Sequence, residues 1–269
     1  VCEAPDANPC SSLTPVPGCT CGFDEERVRR AHAALAGRVS RGEEETHDTA
    51  QAMQIVLHLE KTALPARSEI LAAAAQAVAA ACLLGEAGLP GSPMEAALAG
   101  WYGLKIRKVA RRASGAGWRR AQDVPGCTVT RASGAQARAI MPGRVAAVPQ
   151  AISRLQIKGT DLPADAPGAV DGAWPLVAVD ASLGMSAGKA AAQVGHGSML
   201  LAAALPPEVA IAWARAGFLL AVREVPHEEF LALCAAPGAV VVADAGYTEV
   251  APGAHTVVAV PGRGTADSN

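Results

Sequence analysis

The chain has 269 residues, 51% of them apolar and only 3% aromatic, with a formal net charge of −2. That is enough apolar material for one large or two small packed domains, which excludes a disordered chain. The longest apolar runs, Ile70–Leu84 and Ser198–Leu205, fall short of the roughly 18 residues that span a bilayer, so no membrane partner is expected.

Residues 1 to about 24 hold Cys2, Cys10, Cys19 and Cys21 among prolines and serines. Zinc-binding pairs usually have at least two residues between them, whereas Cys19 and Cys21 have one, so no metal is expected. Glu3, Pro5 and Asp6 stand where a targeting peptide has a basic start and an apolar run, and a cytoplasmic protein is expected. In DEERVRRAHAALAGRVSR, from Asp24, acids come first and bases later, with apolar residues at helical spacing: a short amphipathic helix. Residues 1–45 are therefore read as a flexible extension carrying one short helix, closed by the acidic run Glu43–Glu45.

From residue 46 the pattern is strand AMQIVLHLEK, a long helix opening at about Ser68 with that serine as cap, and a short helix through Pro93–Trp101. Strand KIRKVARR, short helix GAGWRRAQ and hairpin PGCTVTRASGAQARAIMPG follow. The C-terminal half repeats that order. A buried strand from about Pro175 and a glycine-containing turn lead to a helix opening near Ser186, then come a short helix (Pro206–Ala216), strand FLLAVREV, helix HEEFLALCAA and a hairpin. The fold class is α/β: two tandem α/β units, at 46–160 and 171–262, with small mixed sheets flanked by helices. Leu155–Trp174, rich in Pro, Gly and Asp, reads as the linker, and the second unit is expected to fold alone. A monomer with an internal pseudo-repeat fits this layout, although two alanine-rich units also resemble each other by composition. Matching the two AAAQ runs places Ala72 opposite Lys189 and Ala79 opposite His196.

Chemistry gathers in the second unit. Lys189, Gln193 and His196 stand at i, i+4 and i+7 and share one helix face. A strand delivers Asp244 to a glycine- and proline-bearing turn, from which a second strand returns. GMSAGK is not a phosphate-binding loop of the P-loop kind, because only three residues separate its glycines and Ala190 follows the lysine.

Taken together, GKAAAQVGH and DAGYTEVAPGAHTVV resemble the peptidyl-tRNA hydrolases of the second, archaeal and eukaryotic type, over about residues 174–262. More loosely, the whole layout resembles longer bacterial members. The resemblance implies cleavage of the ester between peptide and tRNA without metal or cofactor, hence a role in translation and ribosome rescue. It implies Lys189, Gln193, His196, Asp244, Thr248 and Thr256 as functional residues. Lys189, with the free N–H groups of its helix N-terminus, would suit a phosphate or a developing oxyanion; Asp244 would orient Lys189 or the attacking water; His196 would act as base or hold Gln193. Ser186, Ala187, Tyr247 and Ala254 depart from the family pattern, each removing a basic or hydroxyl contact.

The small net charge hides an asymmetry. Residues 101–160 carry twelve basic residues against Asp123, while residues 171–269 carry four against nine acids. An acidic unit is poorly suited to hold tRNA, so the first unit is expected to supply the positive field through Arg107, Lys108, Arg111, Arg112, Arg119 and Arg120, unless these pair with carboxylates across the interface. Trp101 and Trp118 beside this run are read as core. Two other functions fit: a tRNA-binding accessory protein without turnover, and a transferase moving the acyl group to an acceptor other than water.

Overall fold

A computed structural model of the chain describes residues 23–38, 45–46, 48–246 and 249–263. Cys2, Cys10, Cys19, Cys21, Tyr247 and Thr248 lie outside them.

The elements are α1 (Glu25–Ala36), β1 (Gln51–His58), α2 (Arg67–Leu83), α3 (Pro93–Tyr102), β2 (Arg107–Ala113), α4 (Gly115–Gln122), β3 (Gly126–Thr130), β4 (Gln136–Ile140), β5 (Gly143–Arg144) and α5 (Gln150–Ser153). After the connecting segment come β6 (Leu176–Asp180), α6 (Ala187–Ala204), α7 (Pro207–Arg215), β7 (Ala221–Val225), α8 (His227–Cys234), β8 (Val240–Ala243) and β9 (His255–Val260).

The first sheet runs β2-β1-β4-β3, with β5 pairing on β1, and the second runs β7-β6-β9-β8. In each, the first strand pairs in parallel with the strand beyond its crossover helix, and antiparallel with the last strand of the hairpin. The chain therefore traces one topology twice.

Each long helix covers its own sheet and reaches an edge strand of the other. Helix α2 lies on β3 and β4 and touches β7, α6 lies on β8 and β9 and touches β2, and the two helices pack along each other. Alanine dominates both helices because partners press on several sides at once; in α2 every residue except Glu69 is buried. Residues Arg67–Gly88 are long and apolar enough to cross a bilayer by composition, yet the window is 83% buried inside the protein. Ile55, Leu57 and Val78 of the first unit belong to one hydrophobic cluster with Val177, Val194 and Val257 of the second. The expectation of a second unit that stands alone is thus corrected: the units share a core.

The amphipathic helix near the N-terminus also belongs to that core. Val28, Ala31 and Leu35 of α1 are buried in it, and His32 Nε2 lies 3.0 Å from the carbonyl of Ala202 at the end of α6. Arg29 pairs with Glu208 and Arg215 with Glu25. The reading of 1–45 as a loose extension is therefore corrected for this helix, whose apolar stripe finds a surface to bury against.

Ser68 does not cap α2. Ala66 holds that position without a side-chain bond, and Ser68, inside the first turn, bonds through N–H and Oγ to Asp165 of the connecting segment. That segment is a strap pinned at several points, not a free linker. Trp101 and Trp118 are both buried, the latter stacked on His58 with ring centroids 4.6 Å apart.

Candidate active site

Strands β7, β6 and β8 run in the same direction, since β9 is antiparallel to both of its neighbours. Helix α6 leaves the C-terminal end of β6, and Asp244 follows the C-terminal end of β8, so the start of α6 and Asp244 meet at one edge of the sheet. Lys189 Nζ donates to Asp244 Oδ2 at 2.6 Å, and each side chain is 8% exposed. One turn further, Gln193 Nε2 donates to the same Oδ2 at 2.6 Å. The Gln193 Oε1 in turn accepts from the fully buried Thr256 hydroxyl at 2.7 Å. The other Asp244 oxygen accepts the Gly246 N–H at 2.7 Å. The Asp244 carboxylate is thus held by a cation, an amide and a backbone N–H, and Thr256 fixes which way that amide faces.

The turn dictates its own sequence. Gly246 has φ +77°, and a Cβ there would stand 2.6 Å from the backbone nitrogen of Pro252. Only glycine lets the chain fold back so that its N–H reaches Asp244. Bonds between Asp244 and Gly253 and between Asp244 and Ala254 close the loop.

Of the expected residues, Lys189, Gln193, Asp244 and Thr256 come together, and Thr248 lies outside the described residues. His196 does not join them. It sits two turns along α6, a rise of about 10 Å from Lys189, and among the described residues it makes no hydrogen bond. Burial, with Lys108, Arg38 and Lys189 around it, holds its imidazole well below the usual histidine range.

The helix N-terminus is not free either. Ser186 N–H and Oγ–H both donate to the carboxylate of Glu249 at 2.8 Å, Gly188 N–H donates to Thr160 Oγ1 at 3.0 Å, and Lys189 N–H donates to Ser186 Oγ at 3.1 Å. The expectation of unoccupied N–H groups awaiting a phosphate is corrected for Ser186, Gly188 and Lys189, whose N–H groups are taken by Glu249, Thr160 and the Ser186 hydroxyl.

The expected cationic surface is only partly a surface. Arg107 is paired with Glu45. Arg111 is buried, with Nε on Gln54 and Nη1 on the carbonyls of Ser153 and Leu155. Lys108 lies between the units, its ammonium 3.6 Å from Met199 Sδ and 4.9 Å from the Trp101 ring centroid, and burial pushes it down to about 7. Arg111 is thus corrected from a tRNA contact to an internal group, while Arg107 and Lys108 are half-buried and already engaged within the protein. Arg119 and Arg120 are exposed and Arg112 half-buried, joined by the exposed Arg154 and Lys158. Arg112 Nη1 donates to the Gly159 carbonyl at 2.5 Å, next to the Thr160 that touches Gly188. Of this rim, Arg112 is joined to the start of α6 through Gly159 and Thr160.

Sequence reasoning missed Glu249, Thr160 and Arg67. Glu249 sits inside the quoted motif, but its left-handed backbone (φ +58°), which aims the carboxylate at Ser186, has no sequence signal.

Residues 176–265 match the family model described as Peptidyl-tRNA hydrolase PTH2. No curated protein matches the chain, and no solved structure does.

Proposed function

With a PTH2 domain as the second unit, we propose that the protein hydrolyses the ester bond of peptidyl-tRNA, releasing peptide and free tRNA. The observation that carries this is the Lys189–Asp244–Gln193–Thr256 chain at one sheet edge. Water attacks the ester carbonyl carbon, negative charge gathers on the carbonyl oxygen, and the carbon–oxygen bond to the ribose breaks, with a proton passing to the ribose oxygen. An ammonium held by the buried Asp244 carboxylate, itself braced by Gln193, lowers that barrier because it need not reorganise as charge develops. Asp244 has both oxygens occupied by protein donors, so its role is to aim Lys189 rather than to take a proton from water. Arg112, Arg119, Arg120, Arg154 and Lys158 supply the field that holds the tRNA.

Glu249 favours one other reading, a tRNA-binding accessory protein with little turnover, because its carboxylate occupies the N–H of Ser186 next to the site. Incubation of the pure protein with peptidyl-tRNA and with free aminoacyl-tRNA decides between them. Selective deacylation of the first, lost in Lys189→Ala, is expected. Binding of tRNA without deacylation would establish the accessory role.

A further inference from the structure

The matched domain begins at residue 176, yet two buried contacts on the start of α6 come from before it. Thr160, 2% exposed on the strap, accepts the Gly188 N–H at 3.0 Å. Gly188 immediately precedes Lys189, and a Cβ on Gly188 would stand 2.7 Å from Thr160 Oγ1. The fit is mutual: a glycine leaves room for the threonine, and the threonine satisfies a buried N–H that has no partner within the helix.

Arg67, the first residue of α2, makes the second contact. Its guanidinium is 7% exposed and grips Glu224 of β7 through Nε and Nη2 at 2.7 and 2.9 Å. The remaining donors reach the carbonyls of Leu162 on the strap at 3.2 Å and of Met185 at 2.7 Å. Met185 immediately precedes Ser186, the cap of α6. The strap is fixed in turn, by Asp165 on Ser68 and by the Gln156 carbonyl accepting the Arg112 N–H at 2.8 Å.

We infer that Thr160 and Arg67 are positioning residues for Lys189, so that the first unit completes the active site through the first turn of α6. This rests on the hydrolase reading for its kinetic consequence and on geometry alone for its structural one. Lys189 meets the Asp244 carboxylate in a pair nearly sealed from water, and an ammonium displaced by about an ångström loses most of its effect on the reaction. A first turn freed at Met185 and at Gly188 shifts the root of that side chain. The substrate contacts on the basic rim stay where they are.

The experiment compares Thr160→Val, which keeps shape but not the acceptor, with Thr160→Ser, which keeps the acceptor. In the full-length protein, Thr160→Val is expected to lower kcat on peptidyl-tRNA about tenfold with KM within about twofold, while Thr160→Ser stays near wild type. A second readout needs no turnover: the rate of Lys189 acetylation by acetic anhydride, followed by mass spectrometry against the exposed Lys61. It should rise several-fold in Thr160→Val and not in Thr160→Ser. Gly188→Ala approaches the same contact from the other side and is expected to copy Thr160→Val, which serves if the valine variant fails to fold. A folded variant with lowered Tm but wild-type kcat and wild-type labelling of Lys189 overturns the inference. Wild-type protein that does not cleave peptidyl-tRNA sinks the hydrolase reading instead, and the labelling rates then decide positioning by themselves.

Discussion

Lys189 Nζ and Asp244 Oδ2 stand 2.6 Å apart with both side chains nearly sealed from water. A pair so placed loses more by truncation of one partner than an exposed pair does, because the survivor stays buried and uncompensated. Lys189→Ala and Asp244→Asn are each expected to cut the rate by at least about a hundredfold. Steady-state kinetics beside a thermal melt checks this, and wild-type turnover in either folded variant removes the pair from the reaction.

Thr256 sets the direction of the Gln193 amide, and Gln193 in turn braces Asp244. Thr256→Val should leave that amide free to flip and lower kcat by about tenfold, with a stability loss of about 1–3 kcal/mol for the unsatisfied buried group. Thr256→Ser should retain most of both. Equal damage from valine and serine would mean that packing of the methyl, not the hydroxyl, is what the site needs.

Glu249 places a carboxylate on the Ser186 N–H, where it repels polyanions. Glu249→Gln is expected to tighten tRNA binding, most at low ionic strength where the lost repulsion is least screened, and so to steepen its salt dependence. Fluorescence anisotropy across a salt series measures this; an unchanged slope would show that tRNA never approaches the start of α6.

The exposed rim and the internal arginines should separate cleanly. Reversal of Arg119 and Arg120 to Glu is expected to weaken tRNA binding and flatten its salt dependence with the fold intact. Arg111→Glu, by contrast, puts a carboxylate against the Gln54 oxygen and two carbonyls that now receive guanidinium hydrogens, and should unfold the protein. Circular dichroism and binding, read together, distinguish the two classes.

Lys108 gives a pH signature. In the unfolded chain its ammonium titrates near 10.4, in the folded one at about 7, because burial disfavours the charge. Between those values the unfolded chain binds more protons, so stability rises with pH through the window; below about 7 both states are charged and the full cost of burial is present. Lys108→Met, which fills similar space beside Met199 and Trp101, should therefore raise Tm at about pH 6 and by much less at about pH 10. An equal gain at both would trace the effect to packing alone.

Element types were largely legible in the sequence because each rests on local chemistry. Helix α3 starts at Pro93 and α6 opens beside Ser186, as read, and both hairpins lie where glycine punctuates the chain. The grouping of Lys189 with Gln193 followed from helical spacing, but the same spacing placed His196 with them, and two turns of rise carry it out of reach. Charge counting found the asymmetry and could not tell Arg120, which faces solvent, from Arg111, which is turned inward by a strand register. Thr160 and Arg67 were illegible because their partners lie 28 and 118 residues away. Nothing in a threonine among prolines and glycines announces that a helix will begin against it.

The apolar α2 ends at Leu83, while its companion α6 is complete only at Ala204, about 120 residues later in the chain. Translation adds about 5–20 residues per second, so for roughly 6 to 24 s the nascent chain carries a helix whose second flank has nothing to press against. The half synthesised first is thus the one that waits, and shielding of α2 during that interval is expected to limit the yield of soluble protein. Translation in a chaperone-depleted extract should give mainly aggregate, recovered when a chaperone that holds apolar segments is added back. Soluble product in both extracts would mean that the first sheet alone hides enough of α2 until its neighbour arrives.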